Sequence, residues 1–246
     1  MELKIYDNKE EVTDALAEFI IIDISIKLEK QNHYSFVLAG GNSPQLLYDK
    51  IAIKSKGKID WSRVYFFWGD ERFVSFSDER SNAKMAFYHL LNKIPVDKKH
   101  IFKVNTDIDI DASVEEYSNT VKKFLEINGS FDFVLLGVGA DGHTLSIFPN
   151  TDLIKDTSSF VSKSYNQDQN TFRITLMPKI INAASIISFL VTGSEKADVV
   201  KRIFTGNDNV NQIPAKLIKA ENGELFWFLD KEAASLIKDD DLKVRQ

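Results

Sequence analysis

The sequence predicts an α/β protein in which a parallel β-sheet is covered by helices on both faces. Five short, apolar runs each end in a polar or glycine-rich turn, and stretches with apolar residues at helical spacing lie between them. Strands that are apolar throughout are typical of parallel sheets buried on both sides, and ligands bind such sheets at the carboxyl ends of the strands. The turns are therefore where functional residues are expected.

The elements follow one another in a simple order. Residues 13–28 have helical spacing, and residues 34–38 form the first apolar run. A helix is then expected to residue 53, with Ser43 as a candidate N-cap and Pro44 at its first position. The other apolar runs are residues 64–68, 131–136, 186–191 and 225–229, and an acidic, amphipathic stretch over residues 107–128 is typical of a surface helix.

Length and composition predict a single domain over residues 1–246. Hydrophobic residues make up 43% and charged residues 27% of the chain, which is ordinary for a globular protein. No Pro-, Gly- or Ser-rich linker, repeat or low-complexity tract divides it. The N-terminus does not resemble a secretion signal, no apolar run has the roughly 20 residues of a membrane span, and there is no cysteine. We expect a cytoplasmic protein with no membrane partner.

The net charge of −5 argues against general nucleic-acid binding, which depends on clustered Lys and Arg. A small anionic ligand is compatible with it, because one phosphate needs only a few converging donors and one or two cations. The chain has four histidines and no cysteine, and its sequence shows no obvious metal site. We therefore expect a small-molecule ligand, no nucleic acid and no metal.

Residues 137–144 contain the pattern G-x-G-x-x-G after an apolar run, which by itself is weak evidence for a dinucleotide site. Asp141 and His143 stand where small residues usually open the helix of such a site. Asp152 and Asp156 lie too close to be the ribose-binding acid, which is expected about 20 residues further on. The segment instead suggests an acid–base site.

His143 is the candidate general base, because histidine titrates near neutrality and a carboxylate can orient its ring. The alternative is an ordinary histidine in a surface loop. The orienting carboxylate is either Asp141, two residues away, or an acid from another strand end such as Asp70. The other histidines lack such a setting and are interpreted as structural or exposed: His33, His89 and His100.

A second candidate site is the loop of Gly40, Gly41, Asn42 and Ser43, which precedes a predicted helix. Its amide groups and the positive end of the helix dipole suit an anion, and phosphate is the natural candidate. The loop lacks the GK[ST] ending of a nucleotide P-loop, so ATP or GTP hydrolysis is not expected. The alternative is a plain strand-to-helix turn.

Cations for such an anion are available at two other strand ends and in one further segment. The segment Asp70-Glu71-Arg72 follows the second apolar run. Arg72 can hold a phosphate or an oxyanion through its planar guanidinium group. The alternative is that the segment is a solvated turn. Arg173 and Lys196 are further candidates, with ordinary surface charges as the alternative.

Taken together, the segments resemble the 6-phosphogluconolactonase family, within the larger group that includes glucosamine-6-phosphate deaminases. Residues 38–44 resemble the family's L-S-G-G-S-T-P loop, and residues 68–74 resemble its G-D-E-R-x-V segment. Residues 137–149 are similar to G-x-G-x-D-G-H-T-A-S-L-F-P, the most specific of the motifs. Further matches follow in the family's order over residues 173–175, 193–197, 213–215 and 227–230.

The resemblance implies a Rossmann-like three-layer α/β/α fold with a mostly parallel sheet, and a phosphorylated sugar lactone as substrate. It implies that His143 takes a proton from a water molecule, which opens the lactone to 6-phosphogluconate without a metal or cofactor. The phosphate would be held by the Gly40–Ser43 loop with Arg72 and with Arg173 or Lys196.

Three residues depart from the family's pattern. Asn42 and Ser43 stand where Ser and Thr are usual, which bears on phosphate contacts. Leu145 replaces a small alanine, which bears on packing.

Two other functions remain open. A glucosamine-6-phosphate deaminase shares the ring-opening histidine but needs another base, and its motif resembles D-G-H-I-A-F-N-E-P, with an acid soon after the histidine. Here Thr-Leu-Ser-Ile-Phe-Pro follows His143 and contains no acid. The second alternative is a non-catalytic sugar-phosphate-binding protein, against which the presence of Asp141 and His143 argues.

Overall fold

The protein, as a computed structural model, is described over residues 1–237, so residues 238–246 of the predicted domain lie outside the described residues. Within that range the strands are β1 (Glu2–Tyr6), β2 (Tyr34–Leu38), β3 (Val64–Trp68), β4 (Asp70–Arg72), β5 (Ile101–Phe102), β6 (Phe133–Leu136), β7 (Val161–Asn166), β8 (Thr171–Leu176), β9 (Ile186–Val191) and β10 (Glu224–Asp230). Seven of them form the central sheet in the order β1-β10-β9-β6-β2-β3-β5. Every neighbouring pair in this sheet is parallel.

Helices cover both faces of the central sheet. Those described are α1 (Lys9–Lys30), α2 (Ser43–Lys54), α3 (Asn82–Ala86), α4 (Ile110–Asn128), α5 (Pro178–Ile181) and α6 (Ala197–Phe204). Successive side chains of a strand point to opposite faces, and Phe36 of β2 accordingly packs in one core with Leu16 of α1. Its neighbour Val37 packs in the other core with Val121 of α4 and Val200 of α6. The predicted three-layer α/β/α architecture is confirmed.

The predicted apolar runs are strands of the central sheet. The runs over residues 34–38, 64–68 and 186–191 have the bounds of β2, β3 and β9, whereas β6 begins at Phe133, two residues later than its run. The prediction of Ser43 as an N-cap is wrong by one residue: α2 begins at Ser43 and Asn42 precedes it. No helix within residues 1–237 has the length and apolar character needed to cross a membrane.

A second, antiparallel sheet of three strands, in the order β4-β8-β7, was not predicted. Its strand β4 is only three charged residues long, and β7 mixes polar with apolar residues, so neither forms an apolar run. The backbone N–H of Leu176, at the end of β8, donates to the carbonyl of Gly69, at the end of β3. This bond joins the small sheet to the carboxyl ends of the central strands.

Candidate active site

A cavity of about 240 Å³ opens at the carboxyl ends of the central strands. Its walls come from the segments that follow β2, β3, β6 and β9, which are neighbours in the sheet, together with β8 and the β7–β8 turn of the small sheet. Every predicted site residue except Asp141 lines this cavity: Gly40, Gly41, Asn42, Ser43, Asp70, Arg72, His143, Arg173 and Lys196. Residues from five separate segments of the sequence therefore meet at one edge of the sheet.

His143 is oriented by Asp141. The ring nitrogen Nδ1 lies 2.6 Å from Oδ1 of Asp141, which also accepts the backbone N–H of His143 at 3.1 Å. The carboxylate accepts hydrogen bonds, so Nδ1 carries the proton and Nε2 is the basic nitrogen of the neutral ring. Burial raises the pKa of Asp141, but the hydrogen bonds that it accepts from His143 outweigh burial, and the pKa lies below its usual value. The pair has the arrangement of a general base with its orienting acid.

One glycine of the loop, Gly139, leaves the space that this pair occupies. A Cβ atom on Gly139 would lie 2.1 Å from Nδ1 of His143 and 2.5 Å from Oδ1 of Asp141. Gly142 has φ +93°, a backbone conformation that residues with side chains rarely adopt. The ring of Phe148 also contacts the histidine, with its centroid 4.8 Å from that of His143. Gly139 of the G-x-G-x-x-G pattern thus makes room for the histidine site in this structure.

Asp70 makes its contacts elsewhere in the cavity wall. Its Oδ2 accepts a hydrogen bond from Ser146 Oγ at 2.6 Å and lies 3.8 Å from Nη1 of Arg173. The side chain of Asn82 donates to its Oδ1 at 3.3 Å and to its backbone carbonyl at 2.9 Å. Of the two acids considered for orienting His143, Asp141 makes the contact, and Asp70 instead contacts Ser146, Asn82 and Arg173.

Two arginines face each other across the small sheet, since Arg72 of β4 is paired in register with Arg173 of β8. Arg173 is only 4% exposed, and its Nη2 donates to Oε1 of Gln169. Arg72 donates from Nη1 to the carbonyl of Arg80 at 2.6 Å. The Nε atoms of both arginines are buried and have no hydrogen-bond partner within residues 1–237.

The electrostatics of this arginine pair favour a bound anion. Burial lowers the pKa of Arg173, and the charges of Arg72 and Arg80 lower it further, against the opposing effect of Asp70. Like charges directly opposite each other across two strands are destabilising. An anion beside the two guanidinium groups would offset that repulsion and could be held by charge-assisted hydrogen bonds. Lys196, partly exposed after β9, adds a third cation to the cavity wall.

The glycine loop after β2 brings the start of α2 to the cavity. Gly41 has φ +94°, and a Cβ on Gly40 would lie 2.0 Å from Oδ1 of Asn82, so both positions require glycine. No side chain caps the N-terminus of α2, where Asn42 makes no capping hydrogen bond. Oγ of Ser43 lies 3.2 Å from Oγ1 of Thr192 instead. The positive end of the helix dipole is thus available to an anion in the cavity.

Leu145, the departure predicted to affect packing, has a left-handed backbone conformation with φ 56°. It lines the cavity, and its Cδ2 would lie 2.9 Å from a Cβ on Gly69. The bulkier side chain therefore fills the space beside a glycine at the end of β3.

Glu71 is a site-supporting residue that the sequence did not reveal. It is 2% exposed and accepts the backbone N–H groups of Arg72, Asn82 and Ala83, each at 2.7 Å. Burial raises its pKa to about 7, against the opposing effect of those donors. Alternation along β4 was the available clue, because Asp70 and Arg72 share one face and Glu71 must point to the other.

Two buried tyrosines fix the ends of the strands that carry the site. The hydroxyl of Tyr48 on α2 donates to the carbonyl of Ala39 and accepts its N–H, and Tyr117 on α4 does the same at Trp68. Each hydroxyl thereby satisfies two backbone groups where a strand leaves the sheet. The glycine loop and the Asp70 segment start from these anchored positions.

The other three histidines of the sequence lie outside this site. His33, His89 and His100 do not line the cavity; His89 is bonded to Asp49, and His100 stacks on Tyr65 with ring centroids 3.8 Å apart. Among residues 1–237, no group of three or more His, Asp or Glu side chains is placed to hold a metal ion.

Comparisons with known proteins match most of the length of this chain. A family model described as glucosamine-6-phosphate isomerases/6-phosphogluconolactonase matches residues 7–227. The 6-phosphogluconolactonase of Haemophilus influenzae is 33% identical over 89% of this chain and 92% of its own. The crystal structure of 6-phosphogluconolactonase from Leishmania guyanensis superposes with a TM-score of 0.85 at 26% identity, covering 96% of this chain and 98% of that one.

A monomeric glucosamine-6-phosphate deaminase has a TM-score of 0.81 at 20% identity, covering 96% of this chain and all of that one (100%), and shows the shared fold alone. The matched family model spans most of the sequence and includes every segment of the cavity described above. The chain belongs to the glucosamine-6-phosphate isomerases/6-phosphogluconolactonase family.

Proposed function

We propose that this protein hydrolyses 6-phospho-D-glucono-1,5-lactone to 6-phospho-D-gluconate, with His143 as the general base. The observation that carries the proposal is the meeting of an oriented imidazole and a pair of arginines in one cavity. The lactonases of H. influenzae and L. guyanensis support the choice of substrate.

The chemistry follows from the geometry of the histidine pair. Nε2 of His143 accepts a proton from water as the water oxygen attacks the lactone carbonyl carbon, giving a tetrahedral intermediate. The bond from that carbon to the ring oxygen then breaks, and the proton on Nε2 passes to the leaving oxygen. Asp141 stabilises the imidazolium formed between these steps. A positioned base of this kind contributes about 10²- to 10⁴-fold to the rate.

The rest of the rate enhancement comes from binding of the phosphate, which orients the substrate. We assign it to Arg72 and Arg173, with Lys196 and the amide groups of the Gly40–Ser43 loop as further donors. The anchored phosphate is remote from the reacting carbonyl, so its binding energy can be used to hold that carbonyl beside His143. Ester hydrolysis transfers no electrons, and the proposal assigns no step to a metal or an organic cofactor.

The location, the partners and the domain organisation of the protein are also part of the proposal. A phosphorylated sugar is charged and does not cross membranes unaided, which favours a cytoplasmic location. The net charge of −5 supports a small-molecule partner over nucleic acid. A single domain over residues 1–246 remains the prediction from the sequence.

The test is a lactone-hydrolysis assay on the purified protein with the spontaneous rate subtracted. We expect enzyme-dependent opening of the phosphorylated lactone that saturates with substrate. Release of ammonia from glucosamine 6-phosphate would instead identify a deaminase. Binding of 6-phosphogluconate with lactone opening at the spontaneous rate would identify a non-catalytic binding protein, and either result would refute the proposal.

A further inference from the structure

We propose that Gln169 is a specificity-determining residue whose amide donates to the substrate's phosphate while its oxygen positions Arg173. This inference rests on the proposed function and adds to it a group from the small sheet. Gln169 and Asn166 lie in and beside the turn that joins β7 to β8, and both line the cavity.

The hydrogen bonds of the turn fix the orientation of both amides. Oε1 of Gln169 accepts from Nη2 of Arg173, and Oδ1 of Asn166 accepts the backbone N–H of Gln169 at 2.7 Å. An arginine and a backbone N–H can only donate, so the atoms that meet them must be the amide oxygens. The remaining NH₂ group of each side chain has donors alone to offer, and this part of the wall therefore suits a ligand that only accepts, such as a phosphate.

A neutral partner preserves the positive charge of Arg173. Asp70 lies 3.8 Å from Nη1 of that guanidinium, and an amide holds Nη2, so a second carboxylate does not compete with the ligand. These two contacts also restrict the orientation of the planar guanidinium group of Arg173. A group that is already oriented loses less entropy on binding a phosphate. Gln169 thus acts both on the ligand and through Arg173.

The chain offers matched variants for a test. Gln169→Glu and Asn166→Asp keep the oxygen that accepts the internal hydrogen bond, and each replaces only the NH₂ group by a charged oxygen. Gln167→Glu makes the same charge change in the same turn, at an exposed residue that does not line the cavity. The comparison between residues 169 and 167 separates a specific contact from the general electrostatic effect of one added charge.

Affinity for 6-phosphogluconate is measured by calorimetry, and turnover with 6-phosphogluconolactone and with the unphosphorylated lactone. We expect Gln169→Glu to weaken binding and raise KM for the phosphorylated lactone by about 10- to 100-fold, as for the loss of a hydrogen bond to a charged group. The kcat/KM for the unphosphorylated lactone, which lacks the phosphate, and the melting temperature should stay close to those of the wild type. Asn166→Asp should change binding in the same direction, and Gln167→Glu should behave as the wild type.

The inference is overturned if Gln169→Glu binds 6-phosphogluconate no more weakly than Gln167→Glu, or if it impairs both lactones equally. The two proposals fail separately. A wild type that binds 6-phosphogluconate without opening the lactone refutes the hydrolase, yet the weaker binding of Gln169→Glu would still support the inference. A wild type that opens the lactone, with Gln169→Glu unaffected, refutes the inference alone.

Discussion

Replacing Gly139 by alanine is expected to disable catalysis while leaving the fold intact. The new Cβ would lie 2.1 Å from Nδ1 and 2.2 Å from Cε1 of His143. Non-bonded heavy atoms pack at about 3.5–4.0 Å, so the ring must move by roughly 1 Å or more. Gly139 does not have a positive φ, and alanine is therefore compatible with its backbone. The strain falls on the His143–Asp141 pair.

The magnitude follows from the sensitivity of catalysis to geometry, since a 1 Å misplacement costs about 10²-fold in rate. We expect Gly139→Ala to lower kcat for the phosphorylated lactone by about that factor, with KM and the melting temperature little changed. Gly137→Ala is the control for the position of His143, because Gly137 lines the same cavity but its Cβ would meet no atom within 4 Å and the ring should stay in place. A Gly139→Ala enzyme with the kcat of the wild type would refute the proposed role of the pair.

Three further predictions test other parts of the site. Asp141→Asn should lower kcat by about 10²- to 10⁴-fold with affinity for 6-phosphogluconate preserved, because the neutral amide no longer stabilises the imidazolium formed in the reaction; an unchanged kcat would contradict this. Arg72→Ala should weaken 6-phosphogluconate binding in calorimetry by about 10-fold or more, as for a lost charge-assisted hydrogen bond, and unchanged affinity would contradict the phosphate assignment. Glu71 has a pKa of about 7 in the folded protein, against 4.5 in an ordinary glutamate. At a pH between those two values, the folded protein keeps a proton on Glu71 that the unfolded chain has released. The free energy of unfolding should therefore fall as the pH rises from about 4.5 to 7, by on the order of 1–3 kcal/mol, and urea titrations should find this decline missing in Glu71→Gln.

The central sheet could be predicted because its strands are buried on both faces. Such strands are apolar throughout, and the runs that became β2, β3 and β9 have visible ends in the sequence. The small sheet could not be found in the same way. Its strand β4 is entirely charged, and its pairing with β8 depends on residues about a hundred positions away in the chain.

The segments of the site could be predicted, but the contacts between them could not. Motifs and strand ends indicated the glycine loop, the Asp70 segment and the His143 loop. Whether Asp70 or Asp141 orients the histidine depends on side-chain directions, and only the structure shows Oδ1 of Asp141 at 2.6 Å from the ring. Arg173 was indistinguishable from a surface charge, because its burial follows from the antiparallel pairing with Arg72.

The proposed mechanism depends most directly on His143 as the base, and His143→Ala tests this role in a single pair of measurements. The variant should lose most of the lactone-opening rate above background, about 10²-fold or more, while calorimetry shows 6-phosphogluconate bound as tightly as by the wild type. His89→Ala, which removes a histidine outside the cavity, should keep both properties. A His143→Ala protein that opens the lactone at the wild-type rate would contradict the proposed mechanism.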